Sequence, residues 1–129
     1  MGICLDTNVF STADRSFFDW VFENHIYAYL PSIAYMELVY HRLKKSEGIQ
    51  KLNNMLDGYG IEVVPFDMGL AMAAALKALP RHDLSENAMD YAIGAYAEAH
   101  HFPMITYNKR HFTWLKEVYT PEEYMEKLS

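Results

Sequence analysis

The chain has 129 residues, of which 51% are hydrophobic and 22% charged, the composition of an ordinary globular protein, and we expect a single domain over residues 1–129. Its net charge of −6 argues against a protein that holds nucleic acid by a general basic surface, and the sequence contains neither an apolar run long enough to span a membrane nor a signal-peptide pattern. We therefore expect a cytoplasmic protein with no membrane association, and the lone cysteine, Cys4, excludes an internal disulfide.

The first predicted element is a strand that ends at a carboxylate. Ile3, Cys4 and Leu5 form an apolar run without alternation, which predicts a fully buried strand, and Asp6 follows at its carboxyl end. Ligands bind at this edge in open parallel α/β sheets. Asp6 could instead be a simple helix cap, because Asp is favoured at that position, so a site requires further carboxylates at the same edge.

Strands and helices alternate along the rest of the chain, which predicts a three-layer α/β/α sandwich with a mainly parallel sheet of four or five strands. The predicted strands cover 26–30, 61–64, 103–106 and 117–119. The predicted helices cover 16–23, 32–45, a segment reaching 56, 68–79, a segment from 85 or 86 to 101, and a final segment from 121.

Three helix starts carry recognisable cap residues. We expect Ser32 to cap the helix over 32–45, and Asp67 to cap the helix over 68–79. The helix that follows could begin with Asp83 and Glu86 as a capping box, or with Ser85 alone.

Two helices separate the third and fourth strands, so the second of them must run antiparallel to the strand it feeds, with its first turns at the carboxyl edge of the sheet.

Two further acidic residues lie among apolar neighbours in early helical turns. These are Glu37 and Asp90, and the small Gly94 leaves room beside Asp90. A lone buried carboxylate is disfavoured unless it is paired or binds a cation. The structural alternatives are an ion pair of Glu37 with Arg42 or another basic residue, and a hydrogen bond that Asp90 accepts from Thr7 or Asn8.

The topology sends these groups to one edge of the sheet. Asp6 comes from a strand end, and Glu37 and Asp90 come from early helical turns. Asn108, just after the fourth strand, is a fourth candidate. Oxygen ligands of this kind suit Mg²⁺ or Mn²⁺ rather than zinc. Such an ion would supply the positive charge that the chain lacks, activate a water and neutralise charge on a phosphate.

Four segments carry a family resemblance: LDTNVF at 5–10, YMEL at 35–38, MDYAIGAYA at 89–97 and ITYNKRHF at 105–112. In order and spacing they resemble the PIN-domain family, most closely the VapC-type ribonuclease toxins of prokaryotic toxin-antitoxin pairs. The resemblance implies a metal-dependent endoribonuclease acting on single-stranded RNA, with Asp6, Glu37 and Asp90 binding Mg²⁺ or Mn²⁺ and Asn108 completing the site. It also implies a protein antitoxin and a homodimer.

The chain departs from the family pattern at two positions. Ala34 stands where these toxins often have a hydroxyl residue, and His111 stands where the last motif often has Asp. With Asn108 neutral, a second metal ion should bind weakly or not at all.

Two alternative functions follow from the same residues. A haloacid-dehalogenase-like phosphoryl-transfer enzyme also places an Asp after its first strand, but that class needs a second Asp two residues later, where this chain has Asn8. The other alternative is a PIN-fold module that binds RNA or protein and has weakened or absent nuclease activity.

Overall fold

The sheet contains five strands, all parallel, in a computed structural model that describes residues 1–129. The spatial order is β3-β2-β1-β4-β5, and the strands are β1 (Gly2–Leu5), β2 (Tyr27–Pro31), β3 (Glu62–Val64), β4 (Met104–Ile105) and β5 (Val118–Tyr119). The predicted parallel sheet is confirmed, with five strands rather than four. Because the strand order reverses between β1 and β4, their carboxyl ends flank the crevice where open α/β sheets bind ligands.

Helices cover both sides of the sheet, which confirms the predicted three-layer sandwich. They are α1 (Ser16–Glu23), α2 (Ser32–Lys44), α3 (Ile49–Gly58), α4 (Met68–Ala78), α5 (Leu84–His100) and α6 (Pro121–Leu128). Helix α1 contacts β2 and α6, whereas α4 and α5 pack on each other and α5 also contacts β1. No helix combines the length and the apolar character that a bilayer crossing requires.

The central strands are buried on both faces, as the uninterrupted apolar run predicts. Ile3, Cys4 and Leu5 are completely inaccessible to solvent, and so are Met104 and Ile105 of the neighbouring strand. Burial raises the pKa of the Cys4 thiol, so this side chain acts as a small core residue.

The predicted cap at Ser32 is wrong. Pro31 occupies the N-cap position of α2, and Ser32 is the first helical residue. The Ser32 hydroxyl accepts a hydrogen bond from the backbone N–H of Phe66, at 3.0 Å, and so ties α2 to the segment that follows β3. Asp67, in contrast, caps α4 as predicted, because its carboxylate accepts a hydrogen bond from the backbone N–H of Leu70.

Of the two predicted starts of α5, the one at Asp83 has the right position but forms no capping box, and the one at Ser85 is wrong. Asp83 is the N-cap residue, but its side chain caps no backbone N–H. Its carboxylate instead accepts hydrogen bonds from the Tyr91 hydroxyl, at 2.6 Å, and from the Asn87 side chain, at 2.9 Å. Ser85 lies inside the helix and donates to the Glu86 carboxylate. Two side chains of the same helix thus occupy the carboxylate in place of a backbone N–H.

A kink near the start of α5 defines the position of Asp90. Asn87 has φ −127° and ψ 24°, outside the helical range, so the regular part of the helix begins after it. Asp90 therefore lies in the first turn of this regular part. The unpaired N–H groups and the helix dipole stabilise a negative charge there.

The space beside Gly94 is filled by an aromatic ring rather than left open for Asp90. A Cβ atom added at Gly94 would lie 2.7 Å from two ring atoms of Trp114 and 3.2 Å from Phe112. Trp114 also packs on Tyr91, with the ring centroids 5.1 Å apart. Glycine is needed at this position so that the segment after β4 can approach the helix closely.

We expect Gly94→Ala to lower the free energy of unfolding. Overpacking costs about 1–3 kcal/mol, whereas the better helix propensity of alanine returns at most about 1 kcal/mol. The matched control is Gly58→Ala at the end of α3, where an added Cβ meets nothing within 4 Å and stability should stay unchanged or rise. Urea denaturation of both variants tests this, and a Gly94→Ala variant as stable as Gly58→Ala would contradict the packing argument.

Candidate active site

A cavity of about 420 Å³ opens at the carboxyl ends of β1 and β4, and the four side chains singled out by the sequence line it. Asp6 follows β1, Glu37 belongs to α2, Asp90 to α5, and Asn108 follows β4. A larger hollow of about 660 Å³, beside Trp114, contains none of these residues. The structure thus brings together groups that are far apart in the sequence. A site at Asp6 requires this convergence, whereas a simple helix cap does not.

The Asp6 carboxylate is buried, with 6% of the residue exposed, and is held by two hydrogen bonds. The backbone N–H of Thr7 donates to one oxygen and the Thr106 hydroxyl donates to the other, both at 2.7 Å. Asp6 therefore also caps the short 3₁₀ turn Thr7–Phe10, so the cap and the site are compatible. Burial raises the pKa of Asp6, although both hydrogen bonds and the nearby His111 act in the opposite direction.

Thr106 is a site residue that reasoning from the sequence missed. It is completely buried, donates to Asp6, and accepts hydrogen bonds from the backbone N–H of Asn108, at 2.9 Å, and the side chain of Asn8, at 3.4 Å. The signal lies in strand pairing: Leu5 pairs with Ile105, so the next residue on each strand lies at the same edge. A hydroxyl residue that ends an apolar strand beside another strand ending in Asp is a partner for that carboxylate.

Glu37 is held by a hydroxyl rather than by a basic residue. The Thr7 side chain donates to a Glu37 carboxylate oxygen at 3.0 Å. No ion pair links Glu37 to Arg42, so that alternative is not supported. Thr7 thus contacts two of the acids, one through its backbone and the other through its side chain.

Asp90 pairs with the residue that departs from the family pattern. Nδ1 of His111 lies 3.1 Å from a carboxylate oxygen of Asp90, and no hydrogen bond joins Asp90 to Thr7 or Asn8. Burial raises the pKa of Asp90 most, His111 opposes that rise, and the negative charges of Asp6 and Glu37 raise it further. The Asp90 carboxylate is therefore near enough to those of Asp6 and Glu37 to be repelled by both.

Asn108 contributes an unengaged polar group. Its backbone N–H is bound to Thr106, but its side-chain amide makes no hydrogen bond within the chain and is exposed at the cavity. An amide can accept through its oxygen and donate through its nitrogen. It can therefore contact either a cation or a phosphate oxygen.

The donor set suits a hard divalent cation such as Mg²⁺ or Mn²⁺. The lining offers carboxylate, amide and hydroxyl oxygens and no sulfur ligand, and a cation would relieve the repulsion that raises the pKa of Asp90. No three His, Cys, Asp or Glu side chains are gathered tightly enough to ligate one ion directly. Mg²⁺ does not require this, because it commonly binds one or two carboxylates and fills its remaining positions with waters and substrate phosphate.

Comparison with known proteins connects this chain to a family. The family model described as PIN domain matches residues 3–118. No curated protein matches the sequence significantly.

Solved structures share the fold at low sequence identity. A toxin-antitoxin complex from Klebsiella pneumoniae superposes with a TM-score of 0.67 at 20% identity, over 92% of this chain and 97% of that one. VapBC2 from Rickettsia felis, bound to a promoter DNA fragment, superposes with a TM-score of 0.68 at 19% identity, over 92% of this chain and 97% of that one. For FitAcB from Neisseria gonorrhoeae the TM-score is 0.63 at 22% identity, over 95% of this chain and 99% of that one.

We expect Thr106→Val to destabilise the protein in a pH-dependent way. The variant keeps the volume but leaves an oxygen of the Asp6 carboxylate unpaired and buried, which costs about 1–3 kcal/mol. Loss of the hydrogen bond to Asp6 raises the pKa of Asp6 further. This part of the added instability is absent below the unfolded pKa of about 3.9 and grows as the pH rises towards the folded value, whereas the loss of the bonds that Thr106 accepts costs the same at every pH.

Urea denaturation in EDTA at several pH values measures this difference. Thr113→Val, at an exposed position, is the control and should match wild type throughout. A cost of Thr106→Val that is the same at acidic and neutral pH would mean that the ionised Asp6 does not depend on this bond.

Proposed function

The chain belongs to the PIN-domain family, and from this we propose that it is a divalent-metal-dependent endoribonuclease that hydrolyses phosphodiester bonds of single-stranded RNA. PIN domains are typically nucleases and generally use divalent metals. The observation that carries the proposal is the convergence of Asp6, Glu37, Asp90 and Asn108 on one cavity at the switch point of the sheet.

In this proposal Asp6, Glu37 and Asp90 hold Mg²⁺ or Mn²⁺. The bound ion would activate a water and neutralise charge that develops on the phosphate during displacement. Asp6 is positioned in advance, because Thr106 and the backbone of Thr7 fix both of its oxygens. The amide of Asn108 is available to orient a phosphate oxygen.

We also propose that the protein is the toxin of a type II toxin-antitoxin pair. The support is the likeness in fold to proteins crystallised as toxin-antitoxin complexes. A protein antitoxin would then be its partner.

The surface of α4 supports a homodimer. Four large apolar side chains are exposed along this helix and the turn after it: Met68, Met72, Leu76 and Leu79. The only charged residue of α4, Lys77, forms an ion pair with Glu98 at 3.0 Å. An apolar, uncharged face can meet a copy of itself without repulsion, as a two-fold interface requires.

A second candidate function is a PIN-fold module that binds RNA or protein with weakened or absent catalysis. The observation in its favour is the contact between His111 and Asp90, because this contact engages a proposed metal ligand. Binding without hydrolysis would distinguish this module from a nuclease.

We expect purified protein to cleave mixed single-stranded RNA with Mn²⁺ and not with EDTA. Asp90→Asn, which removes one charge at constant volume, should lower the rate by more than the 10- to 100-fold that is typical when residues supporting a metal ligand are lost. Asp57→Asn, at the exposed end of α3, should cleave like wild type. Cleavage retained by Asp90→Asn would refute its assigned role, and RNA binding without cleavage by wild type would favour the second candidate.

We expect Leu76→Glu to convert a dimer into a monomer in size-exclusion chromatography with light scattering. A charge on each copy would be buried against the other without a partner. Leu43→Glu, on the exposed surface of α2, is the matched control and should remain dimeric. A monomeric wild type, or dissociation by Leu43→Glu alone, would refute the assignment of the interface to α4.

A further inference from the structure

One helix face at the cavity carries both an acid and basic residues. His41 and Lys45 line it together with Glu37, and these three residues follow one another at intervals of four along α2 and its C-terminal cap. Residues at this interval share a helix face and rise about 6 Å per step. The face of α2 that borders the cavity therefore carries a proposed metal ligand at one end and a lysine about 12 Å further along the axis.

The charge of Lys45 is available to a ligand. The side chain is exposed at the cavity and forms no ion pair or hydrogen bond within the chain. The adjacent Lys44 differs, because its ammonium lies 5.5 Å from the centroid of the Tyr40 ring and it does not line the cavity. Lys45 is the only Lys or Arg among the lining residues.

This placement matters because the protein is acidic overall. With 17 Asp and Glu against 11 Lys and Arg, a polyanion is not held by a general basic surface and needs local positive charge. The acids of the cavity can meet a phosphate only through a cation. A neighbouring phosphate on the same strand, beyond the reach of that cation, needs a cationic side chain of the protein, and the cavity supplies one.

We propose that Lys45 binds a phosphate of the RNA strand that flanks the one bound at the acids, so that the substrate runs along α2 from Glu37 towards Lys45. This inference rests on the proposed nuclease function and adds the direction of its substrate. An acidic protein segment could also contact Lys45. RNA is favoured because the same cavity contains the acids, which would repel an acidic peptide and which a metal ion bridges to a phosphate.

The test measures binding of a fluorescein-labelled, mixed-sequence, single-stranded RNA in a cleavage-silent Asp90→Asn background. Fluorescence anisotropy with Mg²⁺ over a series of NaCl concentrations gives the affinity and its salt dependence. Lys45→Gln should weaken binding several-fold and reduce the slope of log K against log salt by about 0.7, the contribution of one phosphate contact on a single strand. Lys44→Gln removes the same charge one residue away and should change neither quantity, and Lys45→Arg should restore both.

Cleavage kinetics without the Asp90 change provide a second readout. Because Lys45 would bind the ground state and the transition state alike, Lys45→Gln should raise KM with little change in kcat. Equal behaviour of the Lys45→Gln and Lys44→Gln variants, with a wild type that binds and cleaves RNA, overturns this inference and leaves the nuclease function standing.

Two other outcomes also overturn the inference. A wild type that neither binds nor cleaves RNA with Mg²⁺ or Mn²⁺ refutes the proposed function itself. If Lys45→Gln instead weakens binding of polyglutamate and leaves RNA binding unchanged, Lys45 serves an acidic protein partner.

Discussion

The site depends on burying one carboxylate at the centre of the sheet. Asp6 is attached to a strand with no solvent-accessible residue from Ile3 to Leu5, so its charge cannot move out into water. Burial of a charge is costly unless hydrogen bonds compensate, and two donors occupy the two carboxylate oxygens. The raised pKa of Asp6 shows that the compensation is incomplete. A bound cation, as in the proposed function, would lower the remaining cost.

The need to hold Asp6 extends to the elements around it. Thr106 must follow β4 beside β1 to reach Asp6. Its hydroxyl then also accepts a hydrogen bond from the backbone N–H of Asn108, and this bond shapes the loop that carries Asn108 to the cavity. Thr7 reaches across to Glu37 and so connects the end of β1 to α2. The two residues that hold Asp6, Thr7 and Thr106, thus also contact two other candidate site residues, Glu37 and Asn108.

Much of this arrangement could be predicted from local pattern. The buried strand before Asp6 and the alternation of strands and helices gave the sheet, and apolar neighbours marked the other acids. The role of Thr106 could not be predicted from pattern alone, because it depends on which strands are neighbours. Ser32 and Asp83 have the residue types of caps, but other partners occupy their side chains: the backbone of a distant segment for Ser32 and side chains of its own helix for Asp83. The kink at Asn87 has no signal in hydrophobic periodicity, and it decides that Asp90 lies in a first helical turn.

Packing on the far side of α5 is coupled to the geometry of the site. Gly94 allows the Trp114 ring to approach the helix, and the indole N–H of Trp114 donates to the backbone carbonyl of His111 at 3.3 Å. His111 in turn lies against Asp90. The backbone of His111 is therefore held by a packed aromatic residue. Its imidazole contacts an oxygen of Asp90 that a metal ion would use in the proposed function. His111, which stands where related toxins often have an acid, thus contacts one of the candidate ligands. If the proposed metal site is correct, we expect metal affinity to depend on how readily Asp90 leaves His111.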